Sequence, residues 1–222
     1  MKTDKVWAVI PARNEQKNIA EIIKKTKKYV GKVVIVDDGS TDNTRELAEK
    51  SGAIVLGHIV NLGKGAALKT GCDYAFKNGA KYIIALDADS QHKPEDIPRF
   101  IDKLQKYDVV FSYRKASGKM PIVLRFGNWF ISNAAKALYG IGLNDTQCGF
   151  RAFSKEAYKK IRWNASDYSM ESEMIARAGK QRLKYVQIPI QTIYSDRYKG
   201  TTIIDGMKIV TNMFWWKFFN NK

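Results

Sequence analysis

The sequence predicts an α/β protein with a mostly parallel central sheet flanked by helices. Short apolar runs rich in β-branched residues recur along the first half of the chain, and segments with helical periodicity separate them. Several of these runs end directly in polar residues. In parallel sheets ligands bind beyond the carboxyl ends of the strands, so we expect the polar ends to share one crevice. The predicted strands of this half are 6–10, 32–37, 53–56, 81–86 and 108–112.

The first two strands end in polar clusters. A helix near 16–29 follows the first cluster, and Ser40, Thr41 or Asp42 can cap a helix near 42–51 after the second. The carboxylates of the second cluster could also serve only as caps of this turn. The clusters are Pro11, Ala12, Arg13, Asn14 and Glu15 after the first strand, and Asp37, Asp38 and Gly39 after the second.

The fourth strand ends in two carboxylates, Asp87 and Asp89, one residue apart. Carboxylates at the end of a buried strand are costly unless something pairs with them. Mg²⁺ or Mn²⁺ takes one or two carboxylates and completes its shell with phosphate oxygens and water, so this pair predicts a metal that holds a phosphorylated substrate. A solvated loop or a helix cap is the simpler alternative for an Asp-x-Asp turn.

The rest of the chain continues the pattern of helices and strands. Residues 113–121 are polar and predict a mobile loop beside the site. The remaining predicted helices are 64–77, 95–106, 122–139, 155–161 and 170–179, and the remaining predicted strands are 150–153 and 183–188.

The composition fits one globular domain. The chain has 222 residues, of which 45% are hydrophobic and 27% charged, enough for a sizeable core. Its two cysteines, Cys72 and Cys148, provide no disulfide framework and suit a reducing cytoplasm. No signal peptide precedes the first strand, and no apolar stretch reaches the length of a transmembrane helix. We therefore expect a cytoplasmic protein.

The net charge of +16 implies an anionic partner: nucleic acid, an anionic membrane or phosphorylated substrates. Lysines cluster at the end of the first helix, where cations suit the helix dipole. No zinc-finger spacing, basic region with heptads or stacking platform accompanies the charge, so we expect no nucleic acid as a partner. A non-catalytic protein that binds nucleotide or nucleic acid remains a remote alternative.

The last residues of the chain predict an amphipathic helix. Apolar and aromatic residues recur at helical spacing beside lysines, a pattern typical of a helix in a membrane interface. A terminal helix packed on its own domain is the alternative. We expect a catalytic domain at 1–200, an aromatic-rich helix at 201–222, and a peripheral position at the inner face of the cell membrane.

Several motifs in order resemble those of a family 2 glycosyltransferase with the GT-A fold. Within that family the chain is similar to the dolichol-phosphate mannosyltransferase and polyprenyl-phosphate glycosyltransferase branch, over roughly residues 5 to 200. The motifs are Pro11-Ala12-Arg13-Asn14-Glu15, Val36-Asp37-Asp38-Gly39-Ser40-Thr41-Asp42, Asn61-Leu62-Gly63-Lys64-Gly65, Asp87-Ala88-Asp89-Ser90-Gln91-His92, Gln147-Cys148-Gly149-Phe150-Arg151-Ala152-Phe153 and the acidic pair in Met170-Glu171-Ser172-Glu173-Met174.

The resemblance implies an inverting, metal-dependent transferase. It would move a hexose from a nucleoside-diphosphate sugar, of the GDP-mannose or UDP-glucose type, to a polyprenyl or dolichyl phosphate. A membrane partner subunit is possible within this branch. A transferase that acts on a hydroxyl of a glycan or of the cell surface is the alternative.

The resemblance also implies roles for residues on the donor side. Asp37 or Asp38 would accept hydrogen bonds from the base. Asp89 would bind Mg²⁺ or Mn²⁺ directly and Gln91 would complete the set, while His92 orients the loop. Asp87 would bond the ribose of the nucleotide sugar or lie near the metal. Lys64, at a helix start, would favour anionic groups. The nucleotide-sugar pocket would further include Pro11, Ala12, Arg13, Glu15, Gly39 and Ala88.

For the transfer step, Arg114, Arg125 and Arg151 are candidates to bind phosphates bidentately, and an ordinary surface arginine is the alternative for each. A polyprenyl phosphate is already ionised and needs little proton removal, whereas a hydroxyl acceptor needs a general base. Candidates for that base are Asp145, Glu171 and Glu173, and the last two flank one serine on a predicted helix, so they cannot point the same way.

One stretch departs from the mannosyltransferase pattern. Arg197-Tyr198-Lys199-Gly200-Thr201-Thr202-Ile203 has Ile203 where those enzymes usually have a lysine. This difference weakens the assignment of GDP-mannose as donor and leaves UDP-glucose and UDP-N-acetylglucosamine open.

Overall fold

A computed structural model describes residues 3–114, 122–191 and 203–218, with side chains for 4–114, 129–191 and 208–218. The strands are β1 (Val6–Ala12), β2 (Lys32–Asp38), β3 (Ile54–His58), β4 (Tyr82–Ala85), β5 (Val109–Arg114), β6 (Arg151–Ser154) and β7 (Tyr185–Ile190). The helices are α1 (Ile19–Thr26), α2 (Thr44–Lys50), α3 (Lys64–Lys77), α4 (Ile97–Lys103), α5 (Ile122–Tyr139), α6 (Lys155–Ile161), α7 (Met170–Lys180) and α8 (Ile203–Phe218).

The strands form one sheet of seven in the order β3-β2-β1-β4-β6-β5-β7. All neighbouring strands are parallel except β6, which runs antiparallel to both β4 and β5. The predicted α/β class with a mostly parallel sheet is therefore confirmed. Because β6 is reversed, Arg151 at its start pairs with Ala85 at the end of β4. The loop before β6 thus reaches the same edge of the sheet as the loop after β4.

Helices cover both faces of the sheet, which explains the continuous apolar runs of its strands. Along β1 successive side chains point to opposite faces: Ile10 packs in the layer with α1 and α4, and Val9 packs in the layer with α3. Both residues are fully buried. The helices α5, α6, α7 and α8 extend the α3 layer.

Helix α1 is shorter than predicted. It begins at Ile19 because the amides of Asn18 and Ile19 donate to the carbonyl of Glu15 in a preceding turn. At its other end, the amide of Tyr29 donates to the carbonyl of Thr26, a tighter turn that ends the regular helix. Helix ends commonly tighten in this way.

Helix α8 packs on the domain with one face. Ile209 and Met213 are buried, and the Tyr139 hydroxyl donates to the Met213 carbonyl at 2.5 Å. On the opposite side Phe214 and Phe218 are 50% and 61% exposed. The helix therefore combines both expected features, packing and an exposed aromatic side, while the division of the chain at residue 200 stays a prediction.

Among the described residues, no helix combines the length and the apolar character that crossing a bilayer requires. Two predicted features fall elsewhere. Of the loop predicted at 113–121, Tyr113 and Arg114 belong to β5, and residues 115–121 lie outside the described residues. Residues 197–202 of the departing stretch and the side chain of Arg125 also lie outside them.

Candidate active site

The first two polar clusters meet at the carboxyl ends of β1 and β2, as predicted. The amide of Asn14 donates to Ser40 Oγ at 3.0 Å, and the amide of Thr41 donates to Asn14 Oδ1 at 2.9 Å. Asn14 adopts a left-handed conformation with φ 55°, which asparagine tolerates better than most residues. The amide of Glu15 donates to Thr44 Oγ1 at 2.8 Å. These bonds connect the loops that follow β1 and β2. Pro11 and Ala12 lie in β1 and pair with β2, and Arg13 is exposed.

The neighbours Asp37 and Asp38 have different environments. Asp38 accepts from the amides of Leu62 at 2.9 Å and Gly63 at 2.8 Å, and its Oδ1 lies 2.7 Å from His58 Nδ1. Asp37 accepts one bond within its own turn, from the amide of Ser40 at 3.1 Å. Asp38 therefore holds the 59–63 loop in place, and Asp37 is the better candidate to accept hydrogen bonds from a nucleotide base.

Gly39 allows the 59–63 loop to lie close to the turn that follows β2. It has φ +67°, and a Cβ atom at this position would lie 2.7 Å from the amide nitrogen of Asn61. His58 was not predicted as a site residue. Its position at the end of β3, next to Asp38 across a parallel pair, is the signal that could have identified it.

Protein groups occupy the start of α3, where the sequence predicts that Lys64 and the backbone amides favour anionic groups. The Lys64 ammonium lies between two carboxylates, 2.7 Å from Asp87 Oδ1 and 3.0 Å from Glu171 Oε1. Burial acts to lower the pKa of Lys64, but the charges of Asp87 and Glu171 outweigh it and raise the pKa. The amides of Gly65 and Ala66 donate to the Ser166 carbonyl at 2.7 and 3.2 Å. The helix start is thus no open anion site.

The surroundings of Asp89 disfavour the ionised form of its carboxyl group. Burial and then the charge of Asp87 raise the pKa of its carboxyl group. Its Oδ1 accepts from the amide of Gln91 at 3.0 Å, across Ser90 with φ 59°. Ala88 is buried between the two carboxylates in sequence. The ionised form of Asp89 would gain most from a nearby cation.

The side-chain oxygens of Asp87, Asp89 and Gln91 fit a hard divalent cation. Within the described part of the chain, no three His, Cys, Asp or Glu side chains form a group that could hold a metal on their own. Mg²⁺ and Mn²⁺ do not require such a group, because they bind through one or two carboxylates and substrate phosphates. Asp89, Asp87 and Gln91 would supply only oxygen ligands at the end of β4.

The loop before β6 packs against the loop that carries Asp87 and Asp89. A Cβ atom on Gly149 would lie 2.5 Å from Asp87 Oδ2, so only glycine allows this approach. The buried His92 ring packs 5.4 Å from the Phe150 ring. Its Nδ1 lies 3.9 Å from Asp87 Oδ2 and has no hydrogen-bond partner among the residues that the structure describes. Both contacts agree with a positioning role for His92. Burial raises the pKa of the Cys148 thiol to about 11, so this thiol is unreactive.

Arg151 does not face a ligand, which corrects its predicted role in binding phosphate. The residue Arg151 is 1% exposed, and the central carbon of its guanidinium group lies 5.3 Å from the Phe111 ring centroid. It donates to three backbone carbonyls: Nε to Cys148 at 2.9 Å, Nη1 to Glu171 at 2.8 Å and Nη2 to Thr146 at 2.7 Å. Arg151 therefore ties the loop before β6 to the start of α7.

Arg114 and Asp145 bind each other. Arg114 Nε donates to Asp145 Oδ2 at 2.6 Å, and Nη2 donates to Oδ1 at 3.1 Å, a bidentate pair. Asp145 Oδ1 also accepts from the amide of Gln147 at 3.0 Å. Because Arg114 binds both of its oxygens, Asp145 is not placed to act as a general base. These two donors of Arg114 point to Asp145 rather than to a ligand.

Glu171 and Glu173 point to different sides of α7, as their spacing predicted. Glu171 is 2% exposed and faces Lys64, and within the described part of the chain its Oε2 has no hydrogen-bond partner. Glu173 accepts from the amide of Ala165 at 2.9 Å and from Arg177 Nε at 2.9 Å. Of this pair, only Glu171 belongs to the site.

Comparison with known proteins identifies relatives along nearly the whole chain. The family model described as Glycosyl transferase family 2 matches residues 7–162. An uncharacterized protein of Methanocaldococcus jannaschii is 40% identical, over 97% of this chain and 93% of its own length. A UDP-N-acetylglucosamine--dolichyl-phosphate N-acetylglucosaminyltransferase of Methanococcus voltae is 33% identical, over 92% of each chain. A polyprenol monophosphomannose synthase of Mycolicibacterium smegmatis is 27% identical, over 96% of this chain and 85% of its own.

Solved structures share the fold. Glucosyl-3-phosphoglycerate synthase from Mycobacterium tuberculosis, in complex with phosphoglyceric acid, superposes with a TM-score of 0.75 and 22% identity. The match covers 94% of this chain and 79% of that protein. The same enzyme in complex with Mn²⁺ and uridine-diphosphate-glucose gives a TM-score of 0.70 at 21% identity, over 95% and 76% of the two chains.

Proposed function

This chain is a glycosyltransferase of family 2, and we propose that it moves a hexose from a nucleoside-diphosphate sugar to a polyprenyl phosphate. The names of two relatives support a lipid-phosphate acceptor, since one is a dolichyl-phosphate transferase and one a polyprenol monophosphomannose synthase. Among donors, UDP-N-acetylglucosamine, GDP-mannose and UDP-glucose are the three to test. The name of the M. voltae relative favours the first.

The pairing of the candidate general bases with cations supports a phosphate rather than a hydroxyl acceptor. Each candidate general base is paired with a cation: Asp145 with Arg114 at 2.6 Å, Glu171 with Lys64 at 3.0 Å, and Glu173 with Arg177 at 2.8 Å. A carboxylate held by a cation is a poor acceptor for a hydroxyl proton, because protonation would break the pair. An acceptor that is already ionised needs no such base. A phosphate monoester meets this condition.

The residues at the strand ends have separate tasks in this proposal. Asp37 accepts hydrogen bonds from the base, while Pro11, Ala12, Arg13 and Glu15 line the nucleoside pocket beside Gly39. Asp87 lies at the ribose or the metal. Asp89, with Gln91 and Asp87, would hold Mg²⁺ or Mn²⁺, which when bound stabilises the negative charge of the leaving diphosphate.

The transfer itself is a single displacement. A phosphate oxygen of the acceptor forms a bond to the anomeric carbon as the bond to the diphosphate oxygen breaks, and the nucleoside diphosphate leaves with the electron pair. Configuration at the anomeric carbon inverts. Lys64, fixed between Asp87 and Glu171, keeps these two carboxylates together without proton transfer. Because a polyprenyl phosphate lies in a membrane, we propose that the protein works at a membrane surface, alone or with a membrane partner subunit.

Product formation from labelled nucleotide sugars tests this proposal. The three donors are incubated with a short polyprenyl phosphate and Mg²⁺ or Mn²⁺. We expect a metal-dependent glycolipid product from one donor, and a fall in turnover of about a thousandfold, about 4 kcal/mol, in Asp89→Ala. Asp102→Ala, an exposed carboxylate on α4, is the control and should retain activity. Absence of both turnover and metal-dependent nucleotide binding would refute the enzymatic proposal.

One oxygen atom of Glu171 supports a second acceptor class, the hydroxyl group of a sugar. Glu171 Oε2 is buried with no hydrogen-bond partner from the described residues, and this oxygen could take a proton from a sugar hydroxyl if the acceptor reached it. Glu171→Gln separates the two classes. With a lipid phosphate acceptor, turnover should stay within about tenfold of the wild type, whereas loss of a general base costs about a hundredfold or more. Donor hydrolysis without a lipid product would also favour the hydroxyl acceptor.

A further inference from the structure

The His58 side chain connects β2, β3 and α3. It lies at the end of β3, opposite Asp38 at the end of β2, and is 10% exposed. Its Nδ1 lies 2.7 Å from Asp38 Oδ1, and its Nε2 lies 3.1 Å from the hydroxyl oxygen of Thr70 in α3. Both ring nitrogens therefore have partners, and the proposed transfer assigns this imidazole no task.

The directions of these two hydrogen bonds follow from the groups that take part. An ionised carboxylate can only accept, so the 2.7 Å contact with Asp38 requires a hydrogen on His58 Nδ1. The neutral imidazole then presents Nε2 as an acceptor, and the Thr70 hydroxyl donates to it. His58 thus carries a directed chain of hydrogen bonds from α3 to Asp38.

Asp38 extends this chain to the 59–63 loop, which leads into α3. Its Oδ1 also accepts from the amide of Leu62 at 2.9 Å, and its Oδ2 accepts from the amide of Gly63 at 2.8 Å. The chain of bonds that leaves α3 through His58 therefore returns to the residue directly before α3.

The start of α3 is held from two sides. On one side the Ser166 carbonyl lies so close that a Cβ atom on Gly63 would be 2.4 Å from its oxygen. On the other side Asp38 holds the amide of Gly63, which Asn61 Oδ1 shares at 3.1 Å. Lys64 is the next residue, and its ammonium pairs with the first carboxylate after β4. A shift of this helix end would therefore shift that ammonium.

We propose that His58 is a positioning residue for the donor site. Through Asp38 it fixes the start of α3, and thereby the place at which Lys64 meets Asp87. A displaced Lys64 leaves the carboxylate of Asp87 unpaired and free to turn away from the cation and the diphosphate. This inference rests on the proposed function, because it gives His58 a task in binding the nucleoside diphosphate. The imidazole itself touches no reacting atom.

Two measurements on the full chain test this role. Without ligand, the amides of Leu62 and Gly63 should exchange hydrogen about tenfold faster in His58→Leu, because Asp38 loses a donor that orients it. Calorimetry with uridine diphosphate and with guanosine diphosphate, each with Mn²⁺, should show a dissociation constant about tenfold higher than in the wild type. The KM for the donor should rise with it, while kcat should stay within about threefold.

Two milder variants divide the chain of bonds. The amide nitrogen of His58→Asn is two bonds from Cβ, as Nδ1 is in histidine, so this variant keeps a donor for Asp38 and should recover most of the binding. Thr70→Val removes only the bond to Nε2 and should weaken binding about threefold. Binding in His58→Asn that is as weak as in His58→Leu would contradict a role through Asp38.

Tyr158→Phe is the matched control. The Tyr158 hydroxyl donates to Asp73 at 2.8 Å, one turn beyond Thr70, so this variant also removes one hydrogen bond from α3. It should lower the melting temperature about as much as Thr70→Val and leave nucleotide binding at the wild-type level. Equal rises in the dissociation constant in Tyr158→Phe and His58→Leu, or unchanged exchange of both loop amides in His58→Leu, would overturn the positioning role.

Failure of the positioning role and failure of the proposed function are distinguishable. Nucleotide binding by the wild type with no loss in His58→Leu would refute only the positioning role. A wild type that binds nucleotide with Mn²⁺ and yet transfers no sugar would refute only the proposed function. A wild type that binds neither nucleotide would refute both.

Discussion

The two sides of the site use charged residues in opposite ways. At the ends of β2 and β4, Asp37 and Asp89 have few protein partners, and burial and then the charge of Asp87 raise the pKa of the Asp89 carboxyl group. On the side formed by β5, β6 and α7, Arg151 and Glu173 are buried and bonded to the backbone. The first side has charges left for a ligand, whereas the second uses them to hold loops together.

Replacing Arg151 should have the largest effect on stability. Arg151→Met leaves three buried carbonyls without their donor, so we expect the free energy of unfolding to fall by about 3–5 kcal/mol in urea titrations. Arg162→Met is the matched control, because its pair with Asp73 is nearly half exposed on both sides and should contribute less than about 1 kcal/mol. Asp89→Asn, from the other side of the site, should not lower stability. A loss of stability in Asp89→Asn that equals the Arg151→Met loss would contradict the comparison.

Gly65 tests how closely α3 must approach the second side. A Cβ atom there would lie 2.5 Å from the Ala165 carbonyl oxygen, so we expect Gly65→Ala to reduce the free energy of unfolding by about 2 kcal/mol. Gly142→Ala is the control, since its added Cβ would meet only the Lys136 side chain at 3.8 Å. Similar melting temperatures for the two variants would show that the 165–167 loop can move away.

Glu173 should be structural although it lies two residues from Glu171. Glu173→Gln removes the charge that holds Arg177 and weakens bonds to the amides of Asn164 and Ala165, which should reduce the free energy of unfolding by about 1–2 kcal/mol. Turnover per folded molecule should remain at the wild-type level. A folded but inactive Glu173→Gln enzyme would move this residue to the catalytic side.

The smallest effect is expected at the contact between α8 and the loop before α7. Burial opposes ionisation of Asp167, but hydrogen bonds from Lys208 and Ser169 outweigh it and lower the pKa to about 2. A lowered pKa stabilises the fold above the usual value of 3.8, and this contribution is lost as the pH falls from 3.8 toward 2. Because the pair with Lys208 is about half exposed, Asp167→Asn should cost only about 0.5 kcal/mol at neutral pH.

The pH dependence of that difference is the measurement. The gap in unfolding free energy between wild type and Asp167→Asn should be constant above pH 5 or so and should shrink below the usual carboxyl pKa. A gap that widens on acidification would mean that Asp167 is not stabilised as an ion.

The sheet and the first side of the site follow well from sequence, because buried strands leave continuous apolar runs and their ends are visible as polar residues. The reversed direction of β6 could not be predicted, since four residues carry no sign of which neighbours they pair with. The spacing of Glu171 and Glu173 predicted that at most one of them faces the site, but only the rotation of α7 shows which. The partners of Arg151 are carbonyls, which every residue has and no sequence pattern marks.

The reversed strand β6 also has a consequence for the order of assembly during synthesis. Until residues 151–154 have left the ribosome, β4 has no neighbour on one side and stands as an unpaired edge, open to association with other chains. The loop with Asp87 and Asp89 likewise lacks Gly149 beside it. Contacts between such distant segments form late in folding. A nascent chain that stalls between β4 and β6 should therefore aggregate and bind no nucleotide.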